Sequence, residues 1–565
     1  MIRIHQVKCE DPKEIESRLL KKLNMPKKDL LSWSVHRKSV DARGQRVLFS
    51  FVIDAEVRHE KKYLKNRDVT IAPDETFRFE ATGTEPLAGR PVVAGFGPAG
   101  LFAALLLAQY GYKPIIIERG APIEERQKDV ERFWKEGVLD PESNVQFGMG
   151  GAGAFSDGKL TTRSKDLHTR KIFDELVRLG ANKNILYEQH PHVGTDGFVS
   201  ILKNARAEIE SLGGTFLFHT RLAGLGLETS GPDGHDNLQS ITLKGSGIEN
   251  ARAILKEKGL ENLIVSSDLN DSNEKEDFLQ IRCMALIAAI GHSAGDTLRM
   301  LAKSHVQMEN KPFAIGVRIE HDQKFIDQAM LKDHATDPLL IPARYQVTAK
   351  TSTGKGVYSF CMCPGGYVIA ASSTPETVVV NGMSYHDRGG KNANAALLVQ
   401  VDETDTGSDL FAGLDYQEQL EKAAWKLSNS YRAPVQLASD FVQGNVSDHF
   451  EGVLPTYPLG TVFTDFQTLL PAPIASSLKE ALLSFEEKIP GFLDGALLTG
   501  VETRSSSAIR VFRDKESLLS SVYGLYPCGE GAGYSGGIMT SALDGLRCAM
   551  ALMERFDNSS KSPIQ

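Results

Sequence analysis

Several features that would place this chain in a special class are scarce or missing. Six cysteines without regular spacing among 565 residues do not make a disulfide framework. The net charge of −8 argues against a general nucleic-acid or membrane surface. The N-terminus has no apolar run of signal-peptide length, and the longest apolar run, 101–108, is far too short to cross a bilayer. We therefore expect a cytoplasmic protein with no membrane partner and no nucleic-acid partner.

Two signals of common enzyme chemistry are also missing. No group of His, Cys, Asp and Glu residues has the spacing of metal ligands, so the sequence predicts no metal site. No GxSxG nucleophile motif occurs. What is present is an ordinary globular composition, 41% hydrophobic and 24% charged, in a chain long enough for two or three domains.

The stretch 91–120, PVVAGFGPAGLFAALLLAQYGYKPIIIERG, is the most informative part of the chain. A short apolar strand at 92–94 is followed by a glycine-rich turn and an apolar helix that begins at 101. A second strand, 115–117, ends at Glu118. This order of strand, glycine turn, helix, strand and acid is that of a dinucleotide-binding βαβ unit.

Each glycine of the turn has a distinct task in such a unit. Gly95 permits the tight turn, Gly97 leaves room for the pyrophosphate, and Gly100 lets the helix pack close to the strand. Glu118 stands 23 residues after Gly95, where an acid accepts the ribose hydroxyls. The alternative is a purely structural turn. The acid argues against a 2′-phosphate ligand, but it does not distinguish FAD from NAD.

Residues 1–85 have the pattern of a small α+β domain. Strands are predicted at 2–7, 31–40 and 47–57, and a helix at 14–23. The segment carries a slight excess of basic residues, which is typical of a solvated face, or of a module that docks an acidic partner. The stretch 82–90 is predicted to be a linker.

The glycine-rich stretch 144–160, NVQFGMGGAGAFSDGKL, cannot be the interior of a helix or strand. A run of glycines allows backbone to lie flat against a ligand, whereas the alternative is a flexible surface loop. Phe147, Phe155 and Leu160 supply apolar anchors, so we favour a loop that contacts a ligand.

The middle of the chain continues the α/β pattern. The predicted elements are helices at 124–137, 169–179 and 197–212, strands at 215–218, 223–228 and 238–243, a polar irregular insertion at 245–277 in a β-meander, and a buried strand at 282–290. The strand ends in Gly291-His-Ser-Ala-Gly-Asp296. Asp296 can cap a helix at 297–302. The backbone at Gly291 can form a second contact with the cofactor, in addition to the glycine turn at 95–100.

From 306 to 490 the pattern is mixed, which is typical of an inserted substrate or cap domain. Its predicted elements are strands of one antiparallel sheet at 314–319, 358–361, 366–371 and 377–380, and helices at 418–425 and 478–485. A second formal GxGxxG, 531–536, precedes a predicted helix at 540–553. No strand and acid can follow it, so it is not a second dinucleotide unit.

A resemblance to a known family rests on five segments: FGMGGAGAFSDGKL, AIGHSAGD, FCMCPGGYV, VNGMSYHDRGGKNANAALLV and GVETRSSS. Together with the first glycine turn and the closing Cys-Gly-Glu…Ser-Gly-Gly-Ile, the chain resembles glutathione-reductase-like FAD-binding proteins. More closely, it is similar to the bacterial FAD-dependent dehydrogenases, also called NAD(P)/FAD-dependent oxidoreductases. It departs from that family at Met149, where members carry an acid, and at Gly295, where they carry an arginine.

The resemblance implies FAD as the cofactor, with NAD(P)H as a transient electron donor. It places the adenosine ribose at Glu118, the ribityl or phosphate side at Gly529 and Glu530, and the flavin ring near Gly537 and Ile538. The complete set of expected cofactor contacts is Gly95, Gly97, Pro98, Ala99, Gly100, Glu118, Arg119, Gly151, Ser156, Gly158, Lys159, Leu160, Gly291, Gly529, Glu530, Gly537 and Ile538.

The expected fold class is α/β, with a Rossmann-type FAD-binding domain and a β-meander, an inserted mixed α+β cap or substrate domain, and a small N-terminal α+β domain. The predicted boundaries are 1–85 for the N-terminal domain, 90–305 and 491–556 for the two parts of the FAD-binding domain, 306–490 for the cap domain, and 557–565 for a tail.

Catalytic residues do not follow from the pattern, because a flavin carries the hydride itself. Cys361 and Cys363 could be a redox pair or two small buried hydrophobes. In a regular strand their Cα atoms would stand about 6.5–7 Å apart, at or beyond the limit for a disulfide. His292 could be a general base or a satisfied polar group. Four further residues could bind an anionic substrate or serve structural roles: Tyr385, Arg388, Glu502 and Arg504.

Three functions are compatible with these observations. The first is a FAD-dependent oxidoreductase that acts on a small molecule, and this is the one we favour. The second is a flavoprotein that acts on RNA or another macromolecule, or docks to it, through its N-terminal domain. The third is a non-catalytic FAD-binding scaffold.

Overall fold

A computed structural model describes residues 1–42, 44–161, 166–230, 235–266 and 277–558 of the protein. Most of the predicted tail and part of the predicted polar insertion lie outside these residues. In the part of the chain that the structure describes, every helix is too short or too polar to span a lipid bilayer.

The N-terminal residues form a four-stranded antiparallel sheet with its own core. The strand order is Leu30–Asp41, Leu48–Val57, Ile2–Cys9 and Val69–Ile71. Helix Ile15–Leu23 packs on the sheet through Ile15, Leu19 and Leu23, at the spacing that the sequence predicts. A short helix, Glu60–Tyr63, precedes the last strand.

The predicted linker, 82–90, lies along the end of the chain. Its strand Glu85–Pro86 pairs in parallel with Phe556–Asp557. A Cβ built on Gly83 would lie 2.4 Å from the carbonyl oxygen of Phe556, so only glycine fits there. The linker is therefore a packed segment, and it ties the N-terminal domain to the C-terminus.

A five-stranded parallel sheet organises the centre of the molecule. Its strand order is Leu525–Pro527, Leu286–Ala288, Val92–Ala94, Ile115–Ile117 and Thr215–Leu217. Helices Pro98–Gln109 and Ile538–Arg555 pack together on one side, and a Cβ on Gly545 would lie 2.0 Å from the carbonyl oxygen of Ala99. The remaining helices around this sheet are Ile123–Glu136, Thr169–Arg178, Gly194–Ser211 and Gly295–Lys303.

A second sheet forms the β-meander beside the parallel sheet. It consists of Ile264–Ser266, Phe278–Arg282, His235–Lys244, Arg221–Ser230 and Val522–Tyr523. The insertion that was predicted to be irregular contains helix Ile248–Glu257, whose Ile248, Ala251 and Leu255 are buried. The prediction of an irregular segment is wrong for these residues, because their helical apolar spacing was missed.

The single buried strand predicted at 282–290 is also wrong. The chain leaves the meander at Arg282 and enters the parallel sheet at Leu286, so it forms two short strands in two sheets. The amide of Leu286 donates to the carbonyl of Gly524, which joins it to its new neighbour. Apolar composition alone does not reveal such a change of sheet.

The cap contains a seven-stranded, mostly antiparallel sheet. The order is Thr348–Lys350, Gly356–Cys363, Asn392–Val401, Phe313–Asp322, Leu497–Glu502, Ala433–Leu437 and Thr461–Phe463. Strand Leu497–Glu502 belongs to this sheet, so the boundary that we predicted at 490 falls too early. Tyr367–Ala370 and Val380–Met383 form a separate hairpin, contrary to the expectation of one sheet.

The helices of the cap cover this sheet. They are Gln323–Leu331, Glu403–Thr406, Ala412–Lys426, Ala438–Gln443, Phe466–Leu469 and Ala472–Lys488. The part of the chain that follows the cap sheet, 503–558, is called the closing segment below. A two-stranded ladder, Met308–Asn310 with Ile509–Val511, joins it to the cap. One apolar core runs from Val92 of the parallel sheet through Leu243 of the meander to Leu397 of the cap. The fold class expected from the sequence is confirmed.

Candidate functional site

One cavity of about 1330 Å³ opens where the carboxyl ends of the parallel strands face the cap sheet. Ligands of open α/β sheets bind at this end of the strands. Fourteen of the expected cofactor contacts line it: Gly95, Gly97, Pro98, Ala99, Glu118, Arg119, Gly151, Ser156, Lys159, Gly291, Gly529, Glu530, Gly537 and Ile538. Gly100, Gly158 and Leu160 do not line it.

The first glycine turn is built as its motif requires. Gly95 has φ of +94°, and Gly97 is the N-cap of helix Pro98–Gln109. A Cβ on Gly100 would lie 1.9 Å from the carbonyl oxygen of Gly95, so Gly100 serves packing. A Cβ on Gly151 would lie 2.9 Å from Cα of Gly97, so the two loops meet backbone to backbone.

Glu118 anchors the loops around this turn. Its Oε2 accepts the Phe96 amide at 2.8 Å, and its Oε1 accepts the amides of Gly120 and Gly148, each at 3.0 Å. The side chain is buried but borders the cavity. Since a carboxylate oxygen can accept more than one hydrogen bond, Oε2 retains capacity for a ribose hydroxyl.

Arg119 has partners that the sequence did not indicate. It makes two hydrogen bonds with Glu142, at 2.9 and 3.0 Å, and pairs with Asp296 at 3.1 Å. Its guanidinium lies over the Phe147 ring, 3.9 Å from the centroid. The predicted capping role of Asp296 is wrong, because the helix is N-capped at Ala294 and Asp296 lies in its first turn.

The glycine-rich loop 144–151 is held by a residue that sequence reasoning missed. Arg126 is fully buried and donates to four carbonyls of the loop: those of Asn144, Val145, Gly148 and Met149. Burial lowers its pKa, and the carboxylate of Glu118 opposes this. A signal existed, since Arg126 shares helical spacing with the buried residues Ile123, Val130 and Phe133.

The closing segment completes the cavity from the other side. Gly537 is the N-cap of helix Ile538–Arg555. A Cβ built on Gly291, Gly536 or Gly537 meets no atom within 4 Å, so their backbone borders open space. The Gly529 amide donates to Asp544 at 2.7 Å, which fixes the turn before the helix.

The five catalytic candidates are not brought together. His292 is buried near Glu530, with 3.7 Å between Nδ1 and Oε2. Arg504 borders the cavity, and its Nε and Nη2 donate to Glu421, at 2.6 and 2.9 Å. Tyr385 is exposed and does not line the cavity. Glu421 thus engages the Nε and Nη2 edge of Arg504, and Tyr385 is remote from the cavity.

Cys361 and Cys363 depart from the expected strand geometry. Pairing passes from Phe360 opposite Ala396 to Cys363 opposite Asn394, so one extra residue bulges out. Cys361 has φ of +44°, and the two sulfur atoms and a carboxylate oxygen of Asp157 lie within 4.8 Å of one another. The regular spacing that we assumed for this pair is therefore wrong.

Three guanidinium groups converge near the cap end of the cavity. Arg388 is only 9% exposed, and Arg344 and Arg37 line the cavity. Among the described residues, none of these three side chains forms a hydrogen bond or an ion pair. The pKa of His190 is lowered to about 4, first by burial and then by these arginines and Lys159.

Within the described part of the chain, two groups of one aspartate and two cysteines have metal-ligand proximity: Asp157, Cys361 and Cys363, and Cys528, Asp544 and Cys548. In both, a cation already binds the carboxylate, Lys159 in the first and Arg513 in the second. The residues of each group come from distant segments, so sequence spacing could not reveal them.

The residues present fit FAD. Two helix N-termini, at Pro98 and Ile538, border one cavity and offer unpaired N–H groups to anionic or polar atoms. The open faces of Gly291, Gly536 and Gly537 leave space where side chains would block a flat ring. The fold and this site define a FAD-binding flavoprotein.

Comparison with known proteins agrees with this class. The family model "FAD-dependent protein, C-terminal domain-like" matches residues 312–505, and a domain of unknown function matches 1–56. A Clostridium beijerinckii protein described as uncharacterized is 42% identical over 567 residues, covering 98% of this chain and 99% of that protein. The chain belongs to the same family as this protein, a family of FAD-dependent proteins, and its cofactor is FAD.

Solved structures with similar folds are distant. CmlS, a flavin-dependent halogenase, is 12% identical with a TM-score of 0.35, over 83% of this chain and 58% of that one. Aklavinone-11 hydroxylase in complex with FAD and aklavinone is 15% identical with a TM-score of 0.32, over 83% and 63%. The chain spans less than two thirds of either protein. Similarity at this level says nothing about the reaction of this chain.

Proposed function

We propose that the protein is a FAD-dependent oxidoreductase of the dehydrogenase type, which transfers a hydride between bound FAD and an anionic small molecule. The observation that carries this proposal is the continuity of one cavity, from the glycine turns at Gly95 and Gly537 to the cap sheet at Gly356–Cys363. Its volume of about 1330 Å³ exceeds the roughly 300–1,000 Å³ typical of small-molecule sites, so room for a substrate remains beside a dinucleotide.

Bound FAD supplies hydride acceptance and donation, and the chain supplies position and charge. Gly97 and the N-terminus of helix Pro98–Gln109 would hold the pyrophosphate, and Glu118 the ribose. The backbone at Gly537 and Ile538 would face the ring. The cap sheet covers the other side and keeps water away from the space between them.

The three unpaired arginines support an anionic substrate. A buried guanidinium without an acceptor is costly, since its desolvation is not offset by a partner. Asp157 and Glu188 are the acids that act on Arg388, and neither forms an ion pair with it. A carboxylate or phosphate group of a substrate would supply the missing acceptors to Arg344 and Arg388.

The N-terminal domain contributes a residue to the wall of the cavity. Its strand Leu30–Asp41 lies beside 187–190, where the Lys38 amide donates to the Tyr187 carbonyl at 2.7 Å, and Arg37 lines the cavity. This placement favours a role of the domain in closing a small-molecule site over a role in docking a macromolecule. A cytoplasmic location and transient reduction by NADH or NADPH belong to the same proposal.

The proposal is tested with FAD-loaded protein in two steps. Stopped-flow measurement of flavin bleaching, with a panel of anionic metabolites, NADH and NADPH, identifies the reductant. Titration with succinate or inorganic phosphate, followed by the flavin absorbance, measures anion binding. We expect Arg388→Gln to weaken that binding roughly 10- to 100-fold, because one charge-assisted contact contributes about 1.5–3 kcal/mol.

Arg67→Gln is the matched control, because Arg67 is 95% exposed on the N-terminal domain. It should leave anion binding unchanged. Arg388→Lys separates charge from geometry and should retain part of the affinity. Equal binding of succinate and its neutral diamide, or equal loss in Arg67→Gln, would contradict the anionic substrate. Absence of bleaching by every compound would contradict the oxidoreductase itself.

A further inference from the structure

The cysteine pair at the cavity wall has an unusual backbone. Cys361 lies in the bulge of strand Gly356–Cys363 and has φ of +44°, a conformation that a residue with a side chain rarely adopts. Backbone strain of this kind is concentrated at functional sites. The bulge turns Cys361 toward the cavity, which it lines, while Cys363 is fully buried behind it.

Cations surround the pair. The Lys159 ammonium binds the carbonyl of Met362, between the two cysteines, and also Asp157. The Arg318 guanidinium, fully buried, lies 4.0 Å from the Cys363 sulfur and 3.4 Å from the Cys361 carbonyl oxygen. Nearby positive charge favours thiolate over thiol.

Arg318 is itself fixed. Glu502 receives its Nε at 2.6 Å and its Nη2 at 3.2 Å, and Asn394 and Asn381 receive the other donors. A Cβ on Gly382 would lie 1.9 Å from Nη1, so a glycine makes room for the guanidinium. The guanidinium of Arg318 is thus fixed beside the sulfurs by hydrogen bonds to Glu502, Asn394 and Asn381.

The two thiols have different environments. The Cys363 thiol donates to the Cys361 carbonyl oxygen at 3.2 Å. Interaction with the Cys363 side chain lowers the pKa of Cys361, as do Lys159 and Arg318, against burial and the charge of Asp157. The pKa of Cys363 is raised, by its interaction with the Cys361 side chain and by burial. One nucleophilic sulfur facing the cavity and one protonated sulfur behind it form the arrangement of a dithiol redox pair.

We propose that Cys361 and Cys363 are a redox-active dithiol that exchanges two electrons with the bound FAD. In the oxidising direction both thiols lose their protons, a sulfur–sulfur bond forms, and two electrons pass to FAD, which takes up two protons. The reverse direction breaks the bond and restores both thiols. The sulfurs lie within 4.8 Å of each other, and the disulfide requires them to approach to about 2.05 Å.

A metal at the same three residues fits less well. Asp157 is the only carboxylate of the group, and the ammonium of Lys159 binds it and so competes with a cation for that position. Two sulfurs and one engaged carboxylate fall short of the four ligands of a structural zinc site. The arrangement therefore favours electron exchange over metal binding.

The test is an anaerobic dithionite titration of the oxidised, FAD-loaded protein. We expect the wild type to consume four electrons per flavin, two for FAD and two for the disulfide. Cys363→Ser should consume only two. Cys9→Ser is the matched control, since it removes another buried cysteine, in the core of the N-terminal domain, while leaving this pair intact, and it should still consume four.

A second measurement needs no variant. The wild type is denatured in N-ethylmaleimide before and after reduction, and the peptides that contain Cys361 and Cys363 are mapped by mass. The linked peptide should be present before reduction, and two alkylated cysteines after it. Free thiols in the oxidised protein, together with a two-electron endpoint, would overturn the proposal. Because neither measurement uses a substrate, failure here is distinct from failure of the proposed reaction.

Discussion

Two clusters of the molecule combine the same side chains, one aspartate and two cysteines, in different surroundings. Cys361 faces the cavity, and Lys159, which binds Asp157, also lines it. In the closing segment, Cys528 and Cys548 are at most 1% exposed, and Asp544 receives two hydrogen bonds from Arg513, at 2.6 and 2.9 Å. The composition of a cluster thus does not define its chemistry.

The two clusters differ in the groups that their carboxylates bind. Asp544 also accepts the Gly529 amide, so it joins a buried cation to a turn that borders the cavity. Its neighbour Cys528 has a raised pKa, first through a hydrogen bond with Cys548 and then through burial. The closing cluster is therefore a structural support, and the cluster at Asp157 leaves one reactive thiol accessible.

The largest expected effect comes from breaking the closing cluster. Asp544→Ala leaves Arg513 buried and unpaired, which typically costs about 3–5 kcal/mol. Asp157→Ala should cost less than this, because Lys159 lines the open cavity, where water can solvate its ammonium. Thermal unfolding of both variants measures the difference. Equal losses would show that the two carboxylates have the same role.

A smaller effect is expected on the reactivity of the thiols in the two clusters. Lys159→Gln removes a cation beside Cys361, so the alkylation rate of Cys361 by iodoacetamide at neutral pH should fall about 3- to 10-fold. In the reduced wild type, the lowered pKa of Cys361 keeps its reactivity at pH values where an ordinary thiol is protonated, and Cys528 resists alkylation.

Lys159→Arg is the control for that experiment and should restore most of the rate, since it restores the charge. A pH profile of alkylation for all three proteins separates a shift of the thiol pKa from a change in access. A profile that is the same in Lys159→Gln and in the wild type would contradict the role of the ammonium.

The local parts of the site could be predicted from the sequence. Gly95, Gly97 and Glu118 lie in one short stretch, where strand, turn and helix follow in a fixed order. Their individual contacts with FAD stay predictions. The parallel sheet and the α/β class followed from the same pattern.

Features that depend on distant segments could not be predicted. Arg37, His190, Arg344 and Arg388 meet only because the N-terminal sheet, a loop and two parts of the cap converge. The bulge at Cys361 depends on pairing with Asn392–Val401, which composition does not reveal. Arg126 was visible as a charged residue at buried spacing, but its partners, four carbonyls of a glycine loop, were not.

The most direct test of the account is the FAD content of Gly97→Glu. The new carboxylate would stand where the pyrophosphate belongs, next to Gly151. Gly44→Glu is the matched control, because a Cβ at Gly44 meets no atom within 4 Å. We predict one FAD per chain in the wild type and in Gly44→Glu, and none in a folded Gly97→Glu protein. Full retention of FAD by Gly97→Glu would contradict the assignment of the cavity.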